Sequence, residues 1–190
     1  MDLRRYVLHH PLRAGMLFQG ALIPLALLLG LVFGIPVLAR FEWSLDGLAM
    51  GALVTLPMLG LLGLLAASGL RAYRVLEAQV RDFLHTLFRG APPGSVAALS
   101  LLAGFGEEML LRGVLQGGLA EHVPAAVAIL LAAVVFGLAH YISGFYFLFA
   151  TLIGIYLGVV YHVTGNLLVV AVAHALYDWI VIRIYLRSAR

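Results

Sequence analysis

The sequence predicts an all-α fold: a polytopic transmembrane helical bundle of about six spans, with one amphipathic helix on the cytoplasmic face. Three observations carry that reading. Of 190 residues, 63% are hydrophobic and only 11% charged, whereas a water-soluble domain keeps about a quarter of its residues charged. Long apolar runs recur along the chain, and the mean hydropathy is +1.05. The arginines gather at alternate ends of those runs. No internal repeat or low-complexity linker divides the chain, so residues 1–190 read as a single membrane domain.

The first apolar run covers about 16–38. It follows arginines, and Val37-Leu38-Ala39 resembles a signal-peptide cleavage site. The run exceeds the roughly 7–15 apolar residues of a signal peptide, so a retained helix is expected. The second run is 48–70. Next comes RAYRVLEAQVRDFLHTLFRGAPP, residues 71–93, where Tyr73, Leu76, Val80, Phe83, Leu84 and Leu87 recur at helical spacing between arginines and acids. This predicts an amphipathic interfacial helix, ended by Gly90 and Pro92-Pro93. Residues 95–186 hold the remaining spans: 95–119, apolar but for GEEMLLR, then 123–141, 145–163 and 166–186.

Arginine placement orients the bundle. Arg4, Arg5 and Arg13 precede the first span, Arg71, Arg74, Arg81 and Arg89 lie between the second and third, and Arg183, Arg187 and Arg190 close the chain. The opposite connections hold only Arg40, beside Glu42 and Asp46. The positive-inside rule then puts both termini in the cytoplasm. The net charge of +3 speaks to topology, and no nucleic-acid partner is expected. With no cysteine, a disulfide framework, a thiol nucleophile and thiolate metal ligation are excluded.

Once loops and ends are set aside, Glu107, Glu108, Arg112, His140, His174 and Asp178 remain inside the spans. Ionisable groups there cost several kcal/mol each and usually face the bundle interior with a partner and a function. Glu108 and Arg112, four residues apart, face each other on a helix. Glu107 points about 100° away and is free to meet another helix. Phe136 shares one helix face with His140, and His174 shares one with Asp178. His162 and Asn166 read as interfacial; His9, His10, His85 and His122 are assigned nothing. A carboxylate and an imidazole can hold and deprotonate a water, and a second imidazole can stabilise an oxyanion. The set Glu107, His140 and His174 could instead bind a divalent metal such as zinc. Counting 1.5 Å per residue puts Glu107 and His174 near mid-bilayer and His140 roughly 10 Å nearer the cytoplasm. Either that helix is shifted or tilted, or the site opens to the cytoplasm.

The order E-E-x-x-x-R (Glu107, Glu108, Arg112), F-x-x-x-H (Phe136, His140) and H-x-x-x-D (His174, Asp178) resembles the CAAX-protease and bacteriocin-processing (Abi) family, which includes the type II CAAX prenyl endopeptidases. The motifs cover about 104–179. The resemblance implies an intramembrane endopeptidase in which Glu107 is the general base, His140 positions the water, Glu108 and Arg112 support the first motif, and His174 and Asp178 sit on the oxyanion side. It leaves open whether the family's chemistry uses a metal. An ionised Asp178 would repel an oxyanion, so it either carries a proton or orients His174 through a hydrogen bond; orientation is the preferred expectation. The alternatives are a non-catalytic immunity or scaffold protein that uses the polar cluster for packing, and, with less in its favour, a proton relay. The expected partners are membrane lipid and a membrane-associated peptide or protein. The alanine-, leucine- and arginine-rich composition points to a bacterial inner membrane.

Overall fold

The computed structural model describes residues 9–187, and among them the regular structure is helical throughout. Arg4, Arg5 and Arg190, used above for orientation, lie outside the described residues. Helix α1, Pro11–Phe33, begins with proline at its first turn, where a missing N–H costs nothing. It stops at Gly34, whose left-handed conformation (φ 72°) lets the chain turn back. A short 3₁₀ turn, Leu38–Arg40, leads to α2, Leu45–Ala67. Ser44 caps α2 by accepting a hydrogen bond from the Gly47 amide at 3.0 Å.

Helix α3, Arg71–Leu87, is the amphipathic element. It buries Tyr73, Leu76, Leu84 and Leu87 against the bundle. Phe83, expected on that face, is exposed. Helix α4, Ser95–Glu108, runs without a break into a wide π-helical stretch, Met109–Gln116, and a last turn α5, Gly117–Leu119. Such wide turns are rare and tend to mark functional sites; nothing in the sequence pattern announces this one. Helices α6, Ala125–Ala139, α7, Gly144–Thr164, and α8, Leu167–Arg187, complete the chain.

Helix α8 is the axis. Leu167, Leu168, Val170, Ala171 and Ala173 are fully buried, with α2 and α4 packed against it. Small residues permit this. A Cβ on Gly51 would lie 2.9 Å from the Val169 carbonyl oxygen, and one on Gly104 would lie 2.7 Å from both Ala171 O and Ala175 N. Close backbone approach through small residues is how helices associate where water supplies no driving force. Thr55 on α2 donates to the carbonyl of Ala173 at 3.3 Å, beside His174. Asn166, between α7 and α8, is buried. Its side chain accepts from the amides of Glu42 (3.1 Å) and Leu168 (2.9 Å) and donates to the Glu42 carbonyl (3.0 Å), joining the α1–α2 connection to the start of α8.

Large apolar side chains face outward, Leu31 at 81% and Val163 at 77% exposure, while Glu108 and Arg112 are fully buried. This inverts the pattern of a protein in water, and the protein is an integral membrane one. Helices α1, α2, α7 and α8 are long and apolar enough to cross a bilayer. Helix α6 is shorter, with 15 residues, or about 22 Å.

Candidate active site

Three helices deliver the polar residues, and Phe136 sits among them. The Arg112 guanidinium lies 5.1 Å from the centroid of its ring. The His140 ring lies 4.3 Å away, and the His174 ring approaches edge-on at 5.7 Å. One aromatic residue on α6 thus touches a member of each of the three helical motifs, within the dispersion and cation–π range.

Glu108 is the structural carboxylate. Its Oε1 accepts from Arg112 Nη1 at 3.0 Å and from His174 Nδ1 at 2.8 Å. Arg112 also donates through Nη2 to the carbonyl of Gly154 on α7, at 2.9 Å. The i,i+4 spacing thus gives the expected ion pair and also anchors α8 and α7 to the α4–π segment. With all three groups at most 5% exposed by side chain, the pairing is what makes this burial tolerable.

Glu107 is separate from that network. Its Oε1 accepts from the Gln19 side-chain amide of α1 at 2.8 Å. Its Oε2 is buried and has no hydrogen-bond partner, and it faces His140 Nε2 at 3.7 Å. His140 donates through Nδ1 to the Phe136 carbonyl at 2.9 Å, one turn back. That bond fixes the ring, and in the neutral form leaves the Nε2 lone pair toward Glu107. The 10 Å depth difference from counting is not found: His140, at the C-terminal cap of α6, stands beside Glu107.

His174 is oriented by Glu108. Asp178 Oδ2 is 3.7 Å from His174 Nε2, too long for a hydrogen bond. The expected orienting bond from Asp178 is thus replaced by the one from Glu108, and the i,i+4 spacing gives Asp178 only proximity. Among the described residues no group of three His, Cys, Asp or Glu is placed to hold a metal ion, the set Glu107, His140 and His174 included. His174 gives Nδ1 to Glu108 and keeps Nε2 open.

Two residues escaped the sequence reading. Gln19 carries no charge and was passed over, although a lone glutamine in an apolar run is itself a costly residue to bury. Tyr146 stands in the first turn of α7, its ring 6.4 Å from that of His140. Together with His140, His174 and Asp178, Tyr146 lines a small cavity of about 50 Å³ floored by Met58 and Phe136. Beyond it lies an apolar cavity of about 380 Å³, walled by Tyr73, Leu76 and Phe83 of α3, Tyr185 of α8, and the α6–α7 turn. His140 and Asp178 border both spaces.

The fold and the site define an integral membrane protein with a buried carboxylate and imidazole centre. Residues 89–180 match the family model described as type II CAAX prenyl endopeptidase Rce1-like. The matched stretch holds every residue of the three motifs. No curated protein and no solved structure matches the chain.

Proposed function

We propose that the protein is an intramembrane endopeptidase with Glu107 as general base. The observation that carries this reading is the free Oε2 of Glu107, buried yet unpartnered and turned toward His140 Nε2 at 3.7 Å. Glu108 Oε2 is buried and unpartnered as well, but Glu108 is engaged with Arg112 and His174 through Oε1; what sets Glu107 apart is that its free oxygen faces an imidazole nitrogen. A water held between the two groups gives its proton to Glu107 as its oxygen bonds to the scissile carbonyl carbon. The oxyanion forms on the side of His174. With Nδ1 given to Glu108, His174 can donate from Nε2 only as the imidazolium, and Asp178, 3.7 Å from that atom, carries a proton in this reading so that it does not repel the oxyanion. Glu107 then passes its proton to the leaving nitrogen, the C–N bond breaks, and an acid and an amine result. No step needs a metal.

The substrate is a membrane-associated peptide whose apolar part occupies the 380 Å³ cavity under α3. In this reading the chain crosses the membrane about six times, with α4–α5 and a tilted α6 completing the spans. Both termini and α3 face the cytoplasm of a bacterial inner membrane.

Purified protein incubated with a panel of membrane-anchored fluorogenic peptides tests the activity. Cleavage that survives a strong chelator is expected. Cleavage abolished by the chelator and restored by zinc would overturn the metal-free step, and no cleavage by folded protein of any peptide would count against the protease reading.

A further inference from the structure

The base has two oxygens, and only Oε2 faces His140. The other is held by a residue outside the matched stretch. Gln19 Nε2 donates to Glu107 Oε1 at 2.8 Å. A carboxylate only accepts, so the amide must present its nitrogen. The consequence is visible on the other half of the amide, where Gln19 Oε1 is buried without a partner. Leaving a buried acceptor unpaired is unfavourable, and an apolar side chain at this position would avoid it. The helices are also built to meet here. A Cβ on Gly106 would lie 2.8 Å from the Gln19 carbonyl oxygen and 3.1 Å from the Leu22 Cβ. Glycine next to the base thus lets the α1 backbone lie directly on α4.

We infer that Gln19 is a positioning residue for the general base, and that α1 is thereby part of the catalytic unit. The inference rests on the reading of Glu107 as base. The amide fixes the plane of the carboxylate through Oε1, so that Oε2 presents its lone pair to the water beside His140. A carboxylate without that bond rotates about its last torsion, and the fraction of time in line with the water falls.

The test uses the full chain in detergent. Gln19→Met keeps the length and removes the donor. Gln19→Asn keeps the amide but is a methylene too short to reach Glu107, and serves if the first variant folds poorly. Two quantities are read: kcat and KM per folded protein, and the infrared carboxylate band assigned to Glu107 by its absence in Glu107→Gln. The expected result is a kcat at least about tenfold lower, the scale of one hydrogen bond to a charged group, with KM unchanged and the Glu107 band shifted. A purely structural role would lower the melting temperature and leave the band and kcat per folded molecule where they were. An unmoved band, while Glu107→Gln still abolishes turnover, overturns the role of Gln19 alone. Turnover left intact by Glu107→Gln overturns both, since there is then no base to position.

Discussion

Two adjacent glutamates, Glu107 and Glu108, occupy opposite chemical situations because one helical step separates their directions by about 100°. Glu108 points at α8 and is neutralised there by Arg112 and His174. Glu107 points at α1 and His140, meets no cation among the described residues, and turns its unbound oxygen toward the His140 ring. The first arrangement predicts a large stability effect. Arg112→Met leaves the Glu108 carboxylate fully buried without its cation, and should destabilise the protein by about 3–5 kcal/mol, read by denaturant unfolding in detergent. A loss below about 1 kcal/mol, the scale of a surface pair, would show that the pair does not hold the helices. The Glu108–Arg112 pair was legible in the spacing alone, since i,i+4 residues meet on any helix. The bond from Glu108 to His174 was not, because 66 residues separate them and only the packing of α4 on α8 sets that distance. Gln19 was illegible for a different reason: an uncharged amide in an apolar run has no ionisable group to mark it.

At the scale of elements, the site depends on how closely α4 approaches α8. Gly104 is the contact point, and a methyl there would meet backbone atoms of Ala171 and Ala175 at 2.7 Å. Backbone cannot swing aside, so Gly104→Ala must push the helices apart, at a cost of about 1–3 kcal/mol. The 2.8 Å bond between His174 and Glu108 lies one turn along and should be lost, taking most of the turnover with it. Gly60→Ala is the matched control, because nothing lies within 4 Å of its Cβ position; it should leave both stability and turnover unchanged. Equal behaviour of the two variants would mean that the close approach does not set the site. The helices themselves were largely readable, since apolar runs and arginine clusters mark where they begin and end. Their ends were less so. The start of α1 lies at Pro11, several residues before the apolar run, because proline suits a first turn even among polar neighbours. The π-helical stretch left no mark in composition or periodicity, and it carries Arg112.

At the scale of the whole molecule, a bundle with lipid-facing leucines outside and an ion network inside works only if the membrane supplies the solvent. Orientation is open to direct measurement because the chain has no cysteine of its own. Thr86→Cys on α3 should react with an impermeant thiol reagent only when the cytoplasmic side is opened, and Glu121→Cys should react in intact cells. The reverse pattern would invert the topology and put the apolar cavity on the other leaflet. The same architecture is compatible with the proposed role of Glu107 as base. Glu108, Arg112 and His174 hold α4, α7 and α8 in place, so Glu107 need not contribute to the fold. The most direct measurement is therefore turnover and melting temperature of Glu107→Gln, compared with wild type on the same membrane-anchored peptide. The account predicts cleavage reduced at least about 10³-fold, close to the background left when a general base is removed, with a melting temperature near that of wild type. Cleavage that persists, or that falls only in step with the melting temperature, would contradict it.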